Sequence, residues 1–224
     1  MIEIKDLCKK YGKNPVLNNI NLSVQQGDCI GIIGANGSGK TTLLSIICGI
    51  IKADSGKIFL DGKLLDSSLK SLNKYISYVP QENPLINELS AIDNLRLWYK
   101  GSKKELKIEL ENGILNVLGI NEFANKPVSK MSGGMKKRLS IGISLLQKPS
   151  LLVMDEPSAA LDISGKFDIR NYMKYYTLKL HSSIIVVSHD QNELSICNKL
   201  FLLKNGSLIQ INSKMKDEEL VKLL

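Results

Sequence analysis

The chain has 224 residues, 43% of them hydrophobic and 23% charged, which suits one large domain and excludes a disordered or fibrous chain. No apolar run reaches the roughly 18 residues of a membrane span, and the Met-Ile-Glu-Ile start has no basic-then-apolar leader pattern, so a cytosolic chain is expected. The net charge of +8 invites anionic partners, but all except three of the thirty basic residues are lysine, the less suited of the two cations for reading bases; most of the charge is expected on solvated faces and no nucleic acid is expected.

In chain order, alternating or β-branched runs predict strands over residues 2–7, 17–24 and 29–33, the last two separated by Gln26-Gly27-Asp28. A glycine-rich loop follows, then an apolar-periodic helix over about 40–49. A short strand over 57–60 ends at the hairpin-type turn Asp61-Gly62, and another over 75–79 ends at Pro80. From about 82 to 147 the periodicity is helical, broken at Gly101-Ser102 and Lys126-Pro127. Strands buried on both faces are predicted over 151–154 and 183–187, final strands over 199–203 and 208–211, and a terminal helix over 214–224. Strand–helix alternation interrupted by a helical block argues for an α/β core with a helical insertion, in one functional unit. The cysteines Cys8, Cys29, Cys48 and Cys197 lack metal-ligand spacing and are expected as buried small hydrophobes.

Between the strand over 29–33 and the following helix stands Gly34-Ala35-Asn36-Gly37-Ser38-Gly39-Lys40-Thr41, which satisfies G-x-x-x-x-G-K-[ST]. Its glycines allow backbone N–H groups to turn inward around a polyphosphate, and the helix aims its positive end at the same anion. Lys40 supplies a mobile charge for the β- and γ-phosphates, and the Thr41 hydroxyl suits Mg2+. The glycine spacing is not that of a dinucleotide-binding loop, so a nucleoside triphosphate is expected. At the end of a buried strand, Ser150-Leu151-Leu152-Val153-Met154-Asp155-Glu156 supplies the remaining chemistry. Asp155 is expected to reach the metal, through water, and Glu156 to accept a proton from the attacking water.

With these motifs in this order, the sequence resembles an ATP-binding-cassette (ABC) transporter ATPase from Tyr11 to His189. The fold implied is a P-loop NTPase (RecA-like) α/β core with an antiparallel β subdomain and an inserted α-helical subdomain: one nucleotide-binding domain over 1–224, with the core at about 1–81 and 148–224 and the helical part at about 82–147. ATP and Mg2+ are the implied cofactors. Ser132-Gly133-Gly134 resembles the family signature. Gln81 resembles the glutamine that contacts metal and water, His189 the γ-phosphate switch histidine, and Tyr11 the aromatic that stacks on adenine. Ser158-Ala159-Ala160-Leu161-Asp162 resembles the loop that crosses the dimer interface. Nucleotide contacts are therefore expected from Tyr11, Gly34 to Thr42 (Thr42 included), Ser132, Gly133, Gly134 and Asp162. Metal contacts are expected from Thr41, Gln81 and Asp155, and catalytic roles from Lys40, Gln81, Glu156 and His189. His181 is given no role.

Ser132 opens a predicted helix, so its hydroxyl and the two glycine N–H groups form a second anion site. In the family that site closes on nucleotide held by an opposite subunit, so a second cassette, identical or a paired homologue, is expected. Where the commonest signature has Leu-Ser-Gly-Gly-Gln, this chain has Met131-Ser132-Gly133-Gly134-Met135. With the following Lys136-Lys137-Arg138-Leu139-Ser140 it resembles a branch found largely in exporters. A separate transmembrane permease, with the cassette peripheral on the cytoplasmic face, is the leading expectation. Its docking surface would lie between Gln81 and about Leu97, with Trp98 itself expected in helix core. The alternative is a soluble ABC ATPase acting on ribosomes, DNA or cofactor assembly; such proteins usually carry paired cassettes, coiled coils or zinc modules.

Overall fold

The structure, a computed structural model, describes residues 2–65, 72, 75–159 and 161–213. The helix expected over 214–224, and Ala160, lie outside the described residues. Ten strands are described in two sheets. The smaller is antiparallel in the order β2-β1-β4-β5, built from β1 (Ile2–Tyr11), β2 (Asn14–Val24), β4 (Ser55–Leu60) and β5 (Lys63–Leu64), with Asp61 and Gly62 making the β4–β5 turn. The larger runs β10-β9-β3-β8-β7-β6, from β3 (Cys29–Ile33), β6 (Ile76–Val79), β7 (Leu151–Asp155), β8 (Ser183–Val187), β9 (Lys199–Lys204) and β10 (Ser207–Ile211). All its pairings are parallel except the β9–β10 hairpin.

Strands β3, β7 and β8 are buried at every position, as runs without a polar face require. Alternate residues feed two cores. Ile30, Ile32, Leu151, Val153, Ile185 and Val187 join the small sheet and α1 (Lys40–Ile47) on one side. Leu152, Met154, Ile184 and Val186 join the helical segment and α6 (Ile163–Leu178) on the other. Each such side chain contributes about 1.5–3 kcal/mol relative to leaving it in water.

The block after Gln81 contains α2 (Ala91–Trp98), α3 (Lys103–Asn112), α4 (Ile114–Val117) and α5 (Gly133–Leu145), with 3-10 turns at Ile120–Phe123 and Val128–Lys130. The expected break at Gly101-Ser102 is a helix start: Ser102 and Glu105 form a reciprocal capping box on α3. Three expectations are corrected. The first two strands run longer than their apolar stretches, because the β1–β2 pairing continues as a ribbon through Lys10↔Pro15 and Tyr11↔Asn14. Trp98 is 55% exposed, because α2 ends there and its buried face stops at Ala91, Asn94 and Leu95. Cys8 is only half-buried; Cys29, Cys48 and Cys197 are buried as free thiols, with Cys29 Sγ and Cys197 Sγ 3.6 Å apart.

Candidate active site: a phosphate cradle at the strand ends

Four neighbouring parallel strands, β3, β8, β7 and β6, end on the same side of the sheet, and the loop after each carries an expected site residue. After β3 comes the 34–41 loop, after β7 Glu156, after β8 His189 and after β6 Gln81. Crevices at the carboxyl ends of such strands are where open α/β sheets place ligands. Here the crevice is a cleft of about 520 Å3, lined among others by Tyr11, Gly37, Lys40, Thr41, Thr42, Gln81, Asp155, Glu156 and His189.

The loop is built by backbone freedom. Gly37 has φ +79° with nothing near its missing Cβ, and Gly39 has φ +101° where a Cβ would meet Val16 at 2.8 Å. Gly39 caps α1 without any side-chain hydrogen bond, so among the described residues no side chain occupies the helix's first N–H groups. Lys40 is buried; its Nζ donates to Gly34 O at 2.7 Å and Ala35 O at 3.0 Å. Burial lowers its pKa, partly opposed by Glu156 and Asp155. Among the described residues, the buried Ser38 hydroxyl has no hydrogen-bond partner. Uncapped N–H groups at the start of α1 beside an ammonium fit a polyphosphate, which would satisfy both.

Asp155 Oδ2 accepts from Thr41 Oγ1 at 2.9 Å and from the Tyr78 hydroxyl at 3.2 Å. That pair of hard oxygens beside the phosphate loop fits Mg2+, which takes one or two protein ligands and completes its shell with phosphate and water. Glu156 takes φ +44°, its N–H donates to Val187 O at 2.9 Å, and its Oε1 lies 3.3 Å from His189 Nε2. Burial pushes its carboxyl above the usual range, and the neighbouring His189 only partly offsets that. Tyr11, the last residue of β1, is 52% exposed and lines the cleft, with Lys9 Nζ over its ring 5.6 Å from the centroid.

The structure does not bring every expected residue together. Ser132, Gly133, Gly134 and Asp162 are not among the residues lining this cleft, and neither are Gly34, Ala35 and Ser38 of the loop itself, of which Ala35 and Ser38 line a second cavity with Asn36 and Gly37. Ser132 caps α5, its Oγ accepting from Met135 N–H at 3.3 Å, and Asp162 caps α6 through Gly165 N–H at 2.8 Å. Met135 packs against the core of the helical segment with its Sδ 3.9 Å from Lys126 Nζ. His181 is exposed and away from the cleft.

Other participants went unread in the sequence. Tyr78 touches Asp155 across 77 residues, and its strand position was its one signal. Glu193, fully buried, accepts from Ser188 Oγ next to His189; burial raises its pKa, opposed by hydrogen bonds from Ser188 and Ser158. Lys166 Nζ pairs with Asp190 Oδ2 at 2.9 Å, tying α6 to the residue after His189. Lys137, in α5, donates to Pro80 O and Gln81 O; burial lowers its pKa to about 8, against the opposing pull of Asp155 and Glu193.

A glycine-lined phosphate cradle at the end of β3, with a lysine, a threonine and an aspartate converging on it, defines a P-loop nucleoside triphosphatase. Residues 17–159 match the ABC transporter family model. The chain is 32% identical over 221 residues to the linearmycin resistance ATP-binding protein LnrL of Bacillus subtilis strain 168, covering 96% of this chain and 70% of the relative. It is 31% identical over 215 residues to the probable sulfate/thiosulfate import ATP-binding protein CysA of Chlorella vulgaris, covering 95% and 91%. The dimeric, post-hydrolysis cassette MJ0796 bound to ADP and Pi superimposes with a TM-score of 0.82 at 28% identity, covering 96% of this chain and all of that one. The chain belongs to the ABC transporter family, and is an ATP-binding, ATP-hydrolysing subunit of that family. No helix among the described residues is long and apolar enough to cross a membrane.

Proposed function

We propose that the protein powers export through a separate transmembrane permease, on the cytoplasmic face of the membrane, by ATP-driven head-to-tail closure of two cassettes. The observation that carries this reading is the separation of the signature from the cleft: Lys40, Thr41, Asp155, Glu156, Gln81 and His189 line one crevice, and Ser132, Gly133 and Gly134 do not. One chain then holds two half-sites. Ser132 is suited to its part because its oxygen lone pair is used by the Met135 N–H, leaving the O–H to donate to a partner-held phosphate.

Within the cleft, Lys40 and the loop N–H groups hold the β- and γ-phosphates, Tyr11 stacks on the base, and Gln81 orients metal and water. Mg2+, held by Thr41 and through water by Asp155, would neutralise phosphate charge when bound. Glu156 accepts a proton from water as that oxygen bonds to the γ-phosphorus and the bond to the bridging oxygen breaks. His189 contacts the γ-phosphate and orients Glu156. Asp162 is assigned to the loop facing the second cassette. The core spans about 1–81 and 148–224, with 82–147 as the helical part. Export is favoured by the Ser132-Gly133-Gly134-Met135 signature and by the resistance function in the name of LnrL; the import named for CysA is the competing direction.

Affinity purification of the tagged chain from native membranes in mild detergent tests the partner. A polytopic membrane protein recovered in roughly equal amount is expected. Recovery only from the soluble fraction, with ribosomes or assembly factors, would overturn the transport reading and leave the nucleotide site intact.

A further inference from the structure

Lys137 lies one turn past the signature in α5 and is 2% exposed. Its Nζ donates to Pro80 O at 3.0 Å and to Gln81 O at 2.9 Å. Seven residues on, two turns along the same face, Ser144 Oγ donates to Tyr78 O at 3.0 Å. Among the described residues strand β6 is the edge of the large sheet and pairs only with β7, so backbone carbonyls on its outer side have no strand to bond. Helix α5 supplies donors at three points, Tyr78 O in the strand and Pro80 O and Gln81 O just beyond it.

A methionine would fill the volume of this side chain without bringing a charge into the interior, so packing alone does not account for an ammonium here. Among the described residues Lys137 makes no ion pair; its two recorded hydrogen bonds both go to the Gln81 loop. The helix that carries these donors is the one whose cap is Ser132.

We propose that Lys137 is a positioning residue for ATP hydrolysis: it fastens the Gln81 backbone to the signature helix, so that the placement of Ser132 sets the placement of Gln81 in the chain's own cleft. This rests on the role proposed above for Gln81. Each chain thereby links the half-site it offers to a partner with the half-site in which it holds nucleotide.

The test is steady-state ATP hydrolysis by the full chain, per nucleotide-competent site, for Lys137→Met, Gln81→Ala and the double variant. Lys137→Met is expected to lower kcat on the order of tenfold to a hundredfold with KM for ATP unchanged, as a misplaced reacting group does. In the Gln81→Ala background the same change is expected to have no further effect. Wild-type kcat in Lys137→Met, or a loss undiminished when Gln81 is already absent, overturns the link. An unimpaired Gln81→Ala overturns the Gln81 role and the link with it; an impaired Gln81→Ala beside an unimpaired Lys137→Met overturns the link alone. Where Lys137→Met yields no folded protein, Lys137→Gln carries the test. It keeps two N–H donors on a side chain one methylene shorter, so kcat between wild type and Gln81→Ala is expected, again without effect in the Gln81→Ala background. Wild-type kcat in that variant overturns the proposal.

Discussion

Replacing Glu156 by glutamine separates proton acceptance from every other property of that position. The side chain keeps its length, and an amide oxygen can still face His189 Nε2, 3.3 Å from the present carboxylate. The backbone keeps its N–H bond to Val187 O, and glutamine meets the same demand of φ +44° as glutamate, so the strain at this residue is unchanged. What disappears is a carboxylate whose pKa burial has already raised toward that of a useful base. Loss of a positioned general base costs about 10²–10⁴ in rate, or roughly 3–5 kcal/mol of transition-state stabilisation at 1.36 kcal/mol per decade. Lys40 and Thr41 are untouched, so ATP affinity should change by less than about threefold, under 1 kcal/mol. Calorimetric titration with ATP, single-turnover phosphate release and a melting curve measure the three quantities separately. Tight binding, a slow chemical step, an unchanged melting temperature and a nucleotide-bound dimer on a sizing column are expected. Phosphate release within about threefold of wild type would remove Glu156 from the mechanism.

Lys40→Ala removes a charge-assisted donor worth about 1.5–3 kcal/mol, so ATP affinity should fall by about one to two decades; unchanged calorimetric affinity would refute the cradle assignment. Ser132→Ala removes the α5 cap, costing about 1 kcal/mol in a melting experiment, while ATP binding to the monomer persists and ATP-dependent dimerisation weakens. Intact dimerisation in the slow Glu156→Gln background would contradict the signature role. Asp28 is buried, and burial raises its pKa; hydrogen bonds from Lys199 at 2.6 Å, from Asn198 at 2.9 Å and from the Gln25 N–H outweigh that, leaving the net value below normal. Its ionised form therefore stabilises the fold fully above the unfolded value of about 3.9, and that contribution is lost as pH falls through the lower folded value. Asp28→Asn should cost about 2 kcal/mol, the worth of a hydrogen bond to a charged group, in urea unfolding from pH 7 down to about 4, narrowing only below that; a gap already closing between about pH 6 and 5 would refute the sign.

What could be read in the sequence was local. A helix start needs few neighbours to specify it, so Lys40 and Ser132 were placed correctly at the first turns of α1 and α5 from short motifs alone. Strands β7 and β8 were legible because four consecutive apolar residues in each, Leu151–Met154 and Ile184–Val187, leave no polar face for water. The polar fastenings were not legible, because each joins residues far apart in the chain. Lys137 reaches Gln81 across 56 residues and Lys199 reaches Asp28 across 171. No periodicity encodes such pairs, and a lysine in an amphipathic helix reads as surface until its neighbours are known. Trp98 failed in the opposite sense: apolar periodicity continued to the end of α2, but the core beneath it ended a turn earlier.

The helical segment is an insertion in sequence without being a separate body in packing. Leu95, Leu106, Leu115 and Phe123 belong to the same continuous core as Met154, Val186 and Ile169, which come from the large sheet and α6. Helix α5 is the seam: Leu139, Ile141 and Leu145 enter that core, Ser144 bonds Tyr78 O in β6, and Lys137 bonds Pro80 O and Gln81 O just beyond it. Apolar contacts of this kind tolerate small sliding, since they have no preferred direction, but hydrogen bonds to Tyr78 O, Pro80 O and Gln81 O fix register and orientation. The Ser132-Gly133-Gly134 segment is thus carried on an element whose position relative to the sheet is set by polar contacts at the end of the strand that leads into Gln81. A displacement of α5 then has its most direct consequence at the Gln81 loop, since β7, with Asp155 and Glu156 at its end, is held between two neighbouring strands and β6 is held by one.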